Sequence, residues 1–192
     1  MNIYDPYPEE IEVNGQTVRV NLRYDHVLRA LDAQDMPELL PEDKIELQCE
    51  LLLGYGERMP RTLQERCDFL TAVFSIFPKP EADEKPAEKY IDFHQDASLI
   101  RSAFFRIGVD LTKDKIHFLQ FLELLRDLPS DTALMRTIEL RMRPIPERNG
   151  HNDKQIAEII KAKQKVAIKL SEEERRTRFA SALKNSNLLK GR

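Results

Sequence analysis

Four histidines, two cysteines and no tryptophan leave this 192-residue chain few places where side chains could do chemistry. His26, His94, His117 and His151 form no His-x-x-x-His pair, and Cys49 and Cys67 form no Cys-x-x-Cys, so zinc-ligand spacing is absent. Asp92, His94 and Asp96 are close in sequence. On a helix the two aspartates share a face and His94 points away, which favours capping by Asp92 over metal binding. Gly54-Tyr55-Gly56 comes nearest to a phosphate-cradling loop, but a third glycine and a preceding strand are missing, and a helix stop needs no ligand. There is no Walker sequence and no Gly-x-Ser-x-Gly elbow. These residues lead to the expectation of a binding protein without catalytic residues, metal or cofactor.

Charge is more informative. Residues 151–192 carry 11 Lys and Arg against 5 Asp and Glu, a net +6, whereas residues 1–150 carry −9 of the overall −3. A body of one sign and a tail of the other predicts association through the tail, with another copy or with a partner. Ile156, Ile159, Ile160, Ala167 and Leu170 predict one tail helix. Ser171 with Glu174 predicts a capping box for another, containing Phe179 and Leu183. The apolar stripes are thin, and such helices gain stability by packing on something else. The candidate partner-binding residues are Ile156, Ile160, Phe179 and Leu183 for apolar contact, with Lys161, Lys165, Arg175 and Arg176 for electrostatic attraction. Nucleic acid is the weaker alternative, because Glu172 to Glu174 interrupt the basic run and Phe179 is its only aromatic residue.

The elements that must position these groups read as mainly α: a helical bundle with a small N-terminal β-hairpin and an extended basic C-terminal helical tail. Residues 11–20 alternate apolar and polar around Asn14-Gly15, the signature of a two-residue type I′ hairpin turn. Asp25 is expected to cap a helix from about 26 to 35, and Pro41 to open one that Gly54 stops. Pro60 is expected to start a third, with Leu63, Cys67, Leu70, Phe74 and Phe77 as its buried stripe. Residues 78–89 hold three prolines among charges and read as a linker. Beyond it, Asp92 with Gln95 predicts a capping box for a helix bearing Phe93, Ala97, Ile100, Phe104 and Ile107, closed by Gly108. Helices at about 115–127 and 132–142 follow, and Pro144-Ile145-Pro146 ends the block. Phe93, Ile100, Phe104, Phe118, Phe121, Leu122 and Leu125 are expected to form one buried cluster. The domain reading is 1–77 for the N-terminal hairpin and helices, 78–89 for the linker, 90–148 for a helical core and 149–192 for the basic tail.

The longest apolar stretch, Phe69 to Phe77, is far short of the roughly 20 residues that span a bilayer. The first residues lack a basic n-region and an apolar h-region, so no secretory signal is expected. Two core-type cysteines suit a reducing compartment.

One block adds specificity. Tyr90-Ile-Asp-Phe-His-Gln-Asp96, Gly108-Val-Asp-Leu-Thr112, Ile116-His-Phe-Leu-Gln-Phe121, Leu128-Pro-Ser-Asp-Thr132 and Ile138-Glu-Leu-Arg141 together resemble a phage and prophage family of Gram-positive bacteria, labelled bacteriophage Gp fifteen. Order and spacing agree over about 55 residues, with a weaker likeness in the N-terminal half. The family tends to have paired tryptophans after the histidine, where this chain has Phe118 and Leu119. The family's genes lie beside the tape-measure gene in the tail-morphogenesis cluster. The resemblance therefore implies a tail assembly chaperone in the host cytoplasm. Such a protein would oligomerise along the tape-measure protein, possess no catalytic residues and work with a second tail chaperone. A tail component retained in the virion and a nucleic-acid-binding phage regulator are the alternative functions.

Overall fold

The computed structural model of the protein describes residues 5–78 and 89–169. Most of the expected linker, and the tail positions Arg175, Arg176, Phe179 and Leu183, lie outside the described residues. Seven helices and one two-stranded antiparallel hairpin make the described chain mainly α. In order they are β1 (Glu10–Val13), β2 (Gln16–Arg19), α1 (Tyr24–Gln34), α2 (Pro41–Leu52), α3 (Leu63–Ser75), α4 (Ala97–Arg106), α5 (Phe118–Arg126), α6 (Ala133–Met142) and α7 (Asp153–Val166). No helix of the described residues is long and apolar enough to cross a membrane.

Contacts divide the described chain into two units that interleave in sequence. One combines residues 5–78 with Arg101–Pro129; the other combines residues 89–100 with 130–169. The sequence blocks 1–77 and 90–148 do not follow this division. Most of α4 and all of α5 belong to the unit of the N-terminal elements, where the rings of α5 find partners. Tyr24 stacks on Phe121 with ring centroids 5.1 Å apart, and Phe77 meets Phe118 edge-on at 5.0 Å.

In the first unit the hairpin turn forms as its residues dictate. Asn14 and Gly15 have φ of 51° and 77°, and Val13 pairs with Gln16 across them. Ile11 and Val20 are buried, and β1 lies against α3. Val20 then bridges to Leu53, and the Gly54 N–H donates to the Arg19 carbonyl at 2.9 Å. A Cβ on Gly54 would sit 2.7 Å from Arg19 Cβ and 2.8 Å from its carbonyl carbon, so close backbone approach requires this glycine. Gly56, at φ 85°, is a separate case of left-handed backbone.

Helix starts differ from the reading in detail. Arg23, not Asp25, occupies the N-cap of α1, and Asp25 sits in its first turn and pairs with Arg23. Helix α3 starts at Leu63 rather than at Pro60, because Thr62 and Glu65 form a reciprocal capping box. Its buried face is Phe69, Leu70 and Val73, while Leu63 is exposed. The expected stripe is therefore displaced around the helix. Helix α1 packs on α2 and α2 on α3. Gln48 is fully buried between α1 and α2 and is satisfied there, donating to the Ala30 carbonyl at 2.8 Å and accepting from Gln34 at 3.2 Å. Burial pushes the Cys49 thiol up to about 11, as suits an inert core group.

The cap of α5 is His117. Its Nδ1 accepts the Leu119 N–H at 3.1 Å, which leaves the ring proton on Nε2 to donate to the Pro8 carbonyl at 3.1 Å. Tyr7 stacks on the same ring at 5.0 Å and donates to Glu123 at 2.6 Å. Phe104 and Phe121 are stacked at 5.0 Å at the centre of this unit and are almost completely buried. Of the expected cluster, Phe118 is buried too, whereas Leu122 and Leu125 are half-buried.

In the second unit α6 packs on α7, burying Leu134, Ile156 and Ile159. Thr132 caps α6 by accepting the Met135 N–H. Phe93 is exposed, contrary to its expected place in the buried stripe. Residues 93–96 form a turn and α4 begins only at Ala97, so the helical spacing does not extend back to Phe93.

Candidate interaction site around Arg141

The turn before α4 explains why its residues are what they are. Asp92 accepts the backbone N–H groups of His94 and Gln95 at 3.0 and 2.8 Å and pairs with Lys89 at 2.9 Å. The capping role expected of Asp92 is thus real, but it serves this turn. The reciprocal bond to the Asp92 N–H comes from the Asp96 carboxylate at 3.0 Å, not from Gln95. That substitution frees the Gln95 amide for other work.

Asp96 and Arg141 form the centre of the unit. Arg141 Nη1 lies 2.6 Å from Asp96 Oδ2, and Nη2 lies 2.8 Å from Oδ1, a two-pronged pair with side chains 10% and 3% exposed. Burial alone would raise the Asp96 carboxyl. The Arg141 hydrogen bonds and the Asp92 N–H outweigh it and hold Asp96 below the usual carboxylate range. Asp92 is held down in the same way: burial raises it, and the Gln95 N–H and Lys89 more than compensate.

The rest of the guanidinium grips main chain. Nη1 also donates to the Tyr90 carbonyl at 2.8 Å, and Nε donates to the Val166 carbonyl at 2.6 Å. Gln95 adds a two-way contact to Lys169, three residues beyond α7: Nε2 donates to the Lys169 carbonyl at 2.9 Å, and Oε1 accepts the Lys169 N–H at 2.8 Å. Arg141 and Gln95 together hold backbone groups at the C-terminal end of α7, at Val166 and Lys169. The polar groups of Arg141 and Gln95 thus contact main chain of their own unit, and the carboxylates of Asp92 and Asp96 are committed to a cap and an ion pair.

The candidate residues from the sequence are distributed as follows. Ile156 is buried within its own unit and Ile160 is half-buried. Lys161 and Lys165 are exposed on α7. The remaining four tail candidates lie outside the described residues. Asp92, His94 and Asp96 do not converge on one point, since His94 is exposed and Asp96 faces Arg141. Among the described residues no group of three His, Cys, Asp or Glu side chains is placed to hold a metal ion.

Sequence reasoning missed Gln95 and Arg141 as working residues. Both stand in the motif block quoted above, but Asp96 and Arg141 are 45 residues apart, and no local spacing reveals such a pair. Other residues of that block also shape the backbone around them. Asp110 is brought to about 2 by hydrogen bonds from Thr112 and Lys113, Gly108 takes φ 87° after α4, and His117 and Thr132 cap helices. No curated protein and no solved structure matches the chain. The profile of the family described as Bacteriophage Gp15 protein matches residues 3–168, and so takes in the hairpin, all seven helices of the described residues, and Gln95, Asp96 and Arg141. By that match over most of its length, the chain belongs to the bacteriophage Gp15 protein family.

Proposed function

We propose that this phage-family protein is a tail assembly chaperone, acting in the cytoplasm of the bacterial host. It binds the tape-measure protein and keeps it soluble while the tail is built. The observation that carries the reading is family membership over residues 3–168. The proposed partner is a very long helical chain whose apolar stripes would aggregate if left uncovered. The structure offers support of a general kind. Its polar motif residues brace backbone instead of lining a reaction site, and large apolar side chains such as Tyr55 and Phe105 stand 101% and 71% exposed. On this reading the protein is not an enzyme, and it works as a homo-oligomer alongside a second tail chaperone.

The test is co-expression with tape-measure fragments, scored by the fraction of fragment left in the supernatant. Recovery of fragments that precipitate alone supports the reading; unchanged precipitation overturns it. Mass spectrometry of purified particles separates a chaperone, which is absent from them, from a tail component, which is present. Steeply salt-dependent binding to duplex DNA would instead favour the regulator.

A further inference from the structure

Helix α7 and residues 167–169 are attached to their unit by both apolar and polar contacts. Ile156 and Ile159 are the buried residues of the helix. Polar attachments among the described residues include Arg141 to the Val166 carbonyl and Gln95 to both main-chain groups of Lys169. These polar groups read only backbone, so the same segment arriving from another molecule satisfies them equally well. Residues 143–152, between α6 and α7, contain no helix or strand and are exposed up to His151. Pro144 and Pro146 keep this connection from joining the two helices. The turn at its end is local, with Asn152 donating to the Glu147 carbonyl at 2.8 Å and accepting the Asn149 N–H at 3.1 Å. Lys163 ties α7 to the Arg143 carbonyl at 2.6 Å. Ten residues reach up to roughly 33 Å when extended, enough to carry α7 away from its own α6.

We propose that α7 with residues 167–169 is an exchangeable arm, and that its occupant site, α6 with Gln95 and Arg141, also accepts the arm of a second copy of this chain. Exchange replaces each contact by an identical one, so it is nearly neutral in contact energy and is governed by concentration and by the connection. Passed head to tail, the arm builds rings or open spirals; passed reciprocally, it builds dimers. Exposed Lys161, Lys165 and Lys169 give the travelling arm positive charge against the −9 of residues 1–150, which speeds encounter between copies. This inference rests on the self-association included in the reading above. It is measured on the chain alone, so it and tape-measure binding fail separately.

Two experiments test it. Isotopically heavy and light full-length chains are mixed, concentrated until light scattering shows association, and chemically cross-linked. Exchange predicts peptides joining α6 to α7 with one heavy and one light partner; an associated sample giving only same-isotope peptides overturns it. In the second experiment residues 143–152 are replaced by two EAAAK repeats, which fuse α6 and α7 into one rod. This removes a tethered concentration on the order of millimolar that holds the arm at home. The rod variant should associate at a concentration at least about tenfold lower than the wild type, and adding Gln95→Ala should reverse part of that shift. A rod variant with wild-type mass at every concentration, or one indifferent to Gln95→Ala, overturns the exchange even if the wild-type chain stays single.

Discussion

Arg141 and Asp96 meet as a fork on a carboxylate, at 2.6 and 2.8 Å, with almost no solvent access. A buried pair of this kind is costly to break, because the survivor is left charged and unsolvated. Arg141→Leu or Asp96→Leu alone should lower unfolding free energy by about 3–5 kcal/mol, measured by urea denaturation. The double replacement should cost less than the sum of the two, and equal additivity would show that the pair does not act as a unit. Because the folded carboxyl lies below its ordinary 3.8, this contribution is complete above that pH and is lost as pH falls through the folded value.

The His117 ring predicts a second, milder acid response. Burial holds it below the ordinary 6.5, and the Pro8 carbonyl with Glu9 and Glu123 offsets this only in part. A lowered pKa means the unfolded chain binds the proton first. Stability should therefore be constant above pH 6.5 in this respect and should fall as pH drops from 6.5 towards the folded value. His117→Phe keeps a ring under Tyr7 but loses the acceptor for the Leu119 N–H. It should cost about 0.5–2 kcal/mol at neutral pH and flatten that acid slope, read from melting temperature against pH.

Gly54 and Gly56 should respond differently to the same replacements. Gly54→Ala brings its Cβ against the Arg19 backbone and should cost about 1–3 kcal/mol. Gly56→Ala meets no atom within 4 Å but must adopt φ 85°, at about 1–2 kcal/mol. Asparagine should recover stability at 56, where left-handed backbone is the problem, and not at 54, where space is. Equal rescue at both sites in chemical denaturation would remove the distinction.

Phe104 is fully buried and stacked on Phe121 at 5.0 Å. Phe104→Ala should cost about 3–5 kcal/mol, and Phe105→Ala, on the neighbouring exposed position, within about 0.5 kcal/mol. Similar losses at 104 and 105 would contradict the orientation of α4.

Local signals in the sequence were legible where one short segment determines the outcome. Asn14-Gly15 sets the hairpin, Pro41 opens α2 and Gly108 ends α4, each through backbone chemistry that acts within a few residues. Prolines proved ambiguous next to a stronger signal: Pro60 stands before α3, but Thr62 with Glu65 fixes where it starts. Phe93 shows the limit of periodicity, since a residue at helical spacing is placed by the stripe only if the helix reaches it. The candidate site was the least legible part. Gln95 looked like the second half of a capping box, and Asp96, one position on, took that role. Which of two adjacent polar residues turns inward depends on Arg141, which the chain brings in from 45 residues away.

The clasp around Lys169 constrains variation among relatives unevenly. Gln95 touches the N–H and the carbonyl of that residue, so nearly any side chain is compatible with position 169. Proline is the exception, because it has no N–H to offer Gln95 Oε1. The same freedom holds at Tyr90 and Val166 as far as their gripped carbonyls are concerned. Drift should therefore accumulate at the held positions while Gln95, Asp96 and Arg141 stay fixed, so that two proteins could share this clasp with little identity at the residues it holds.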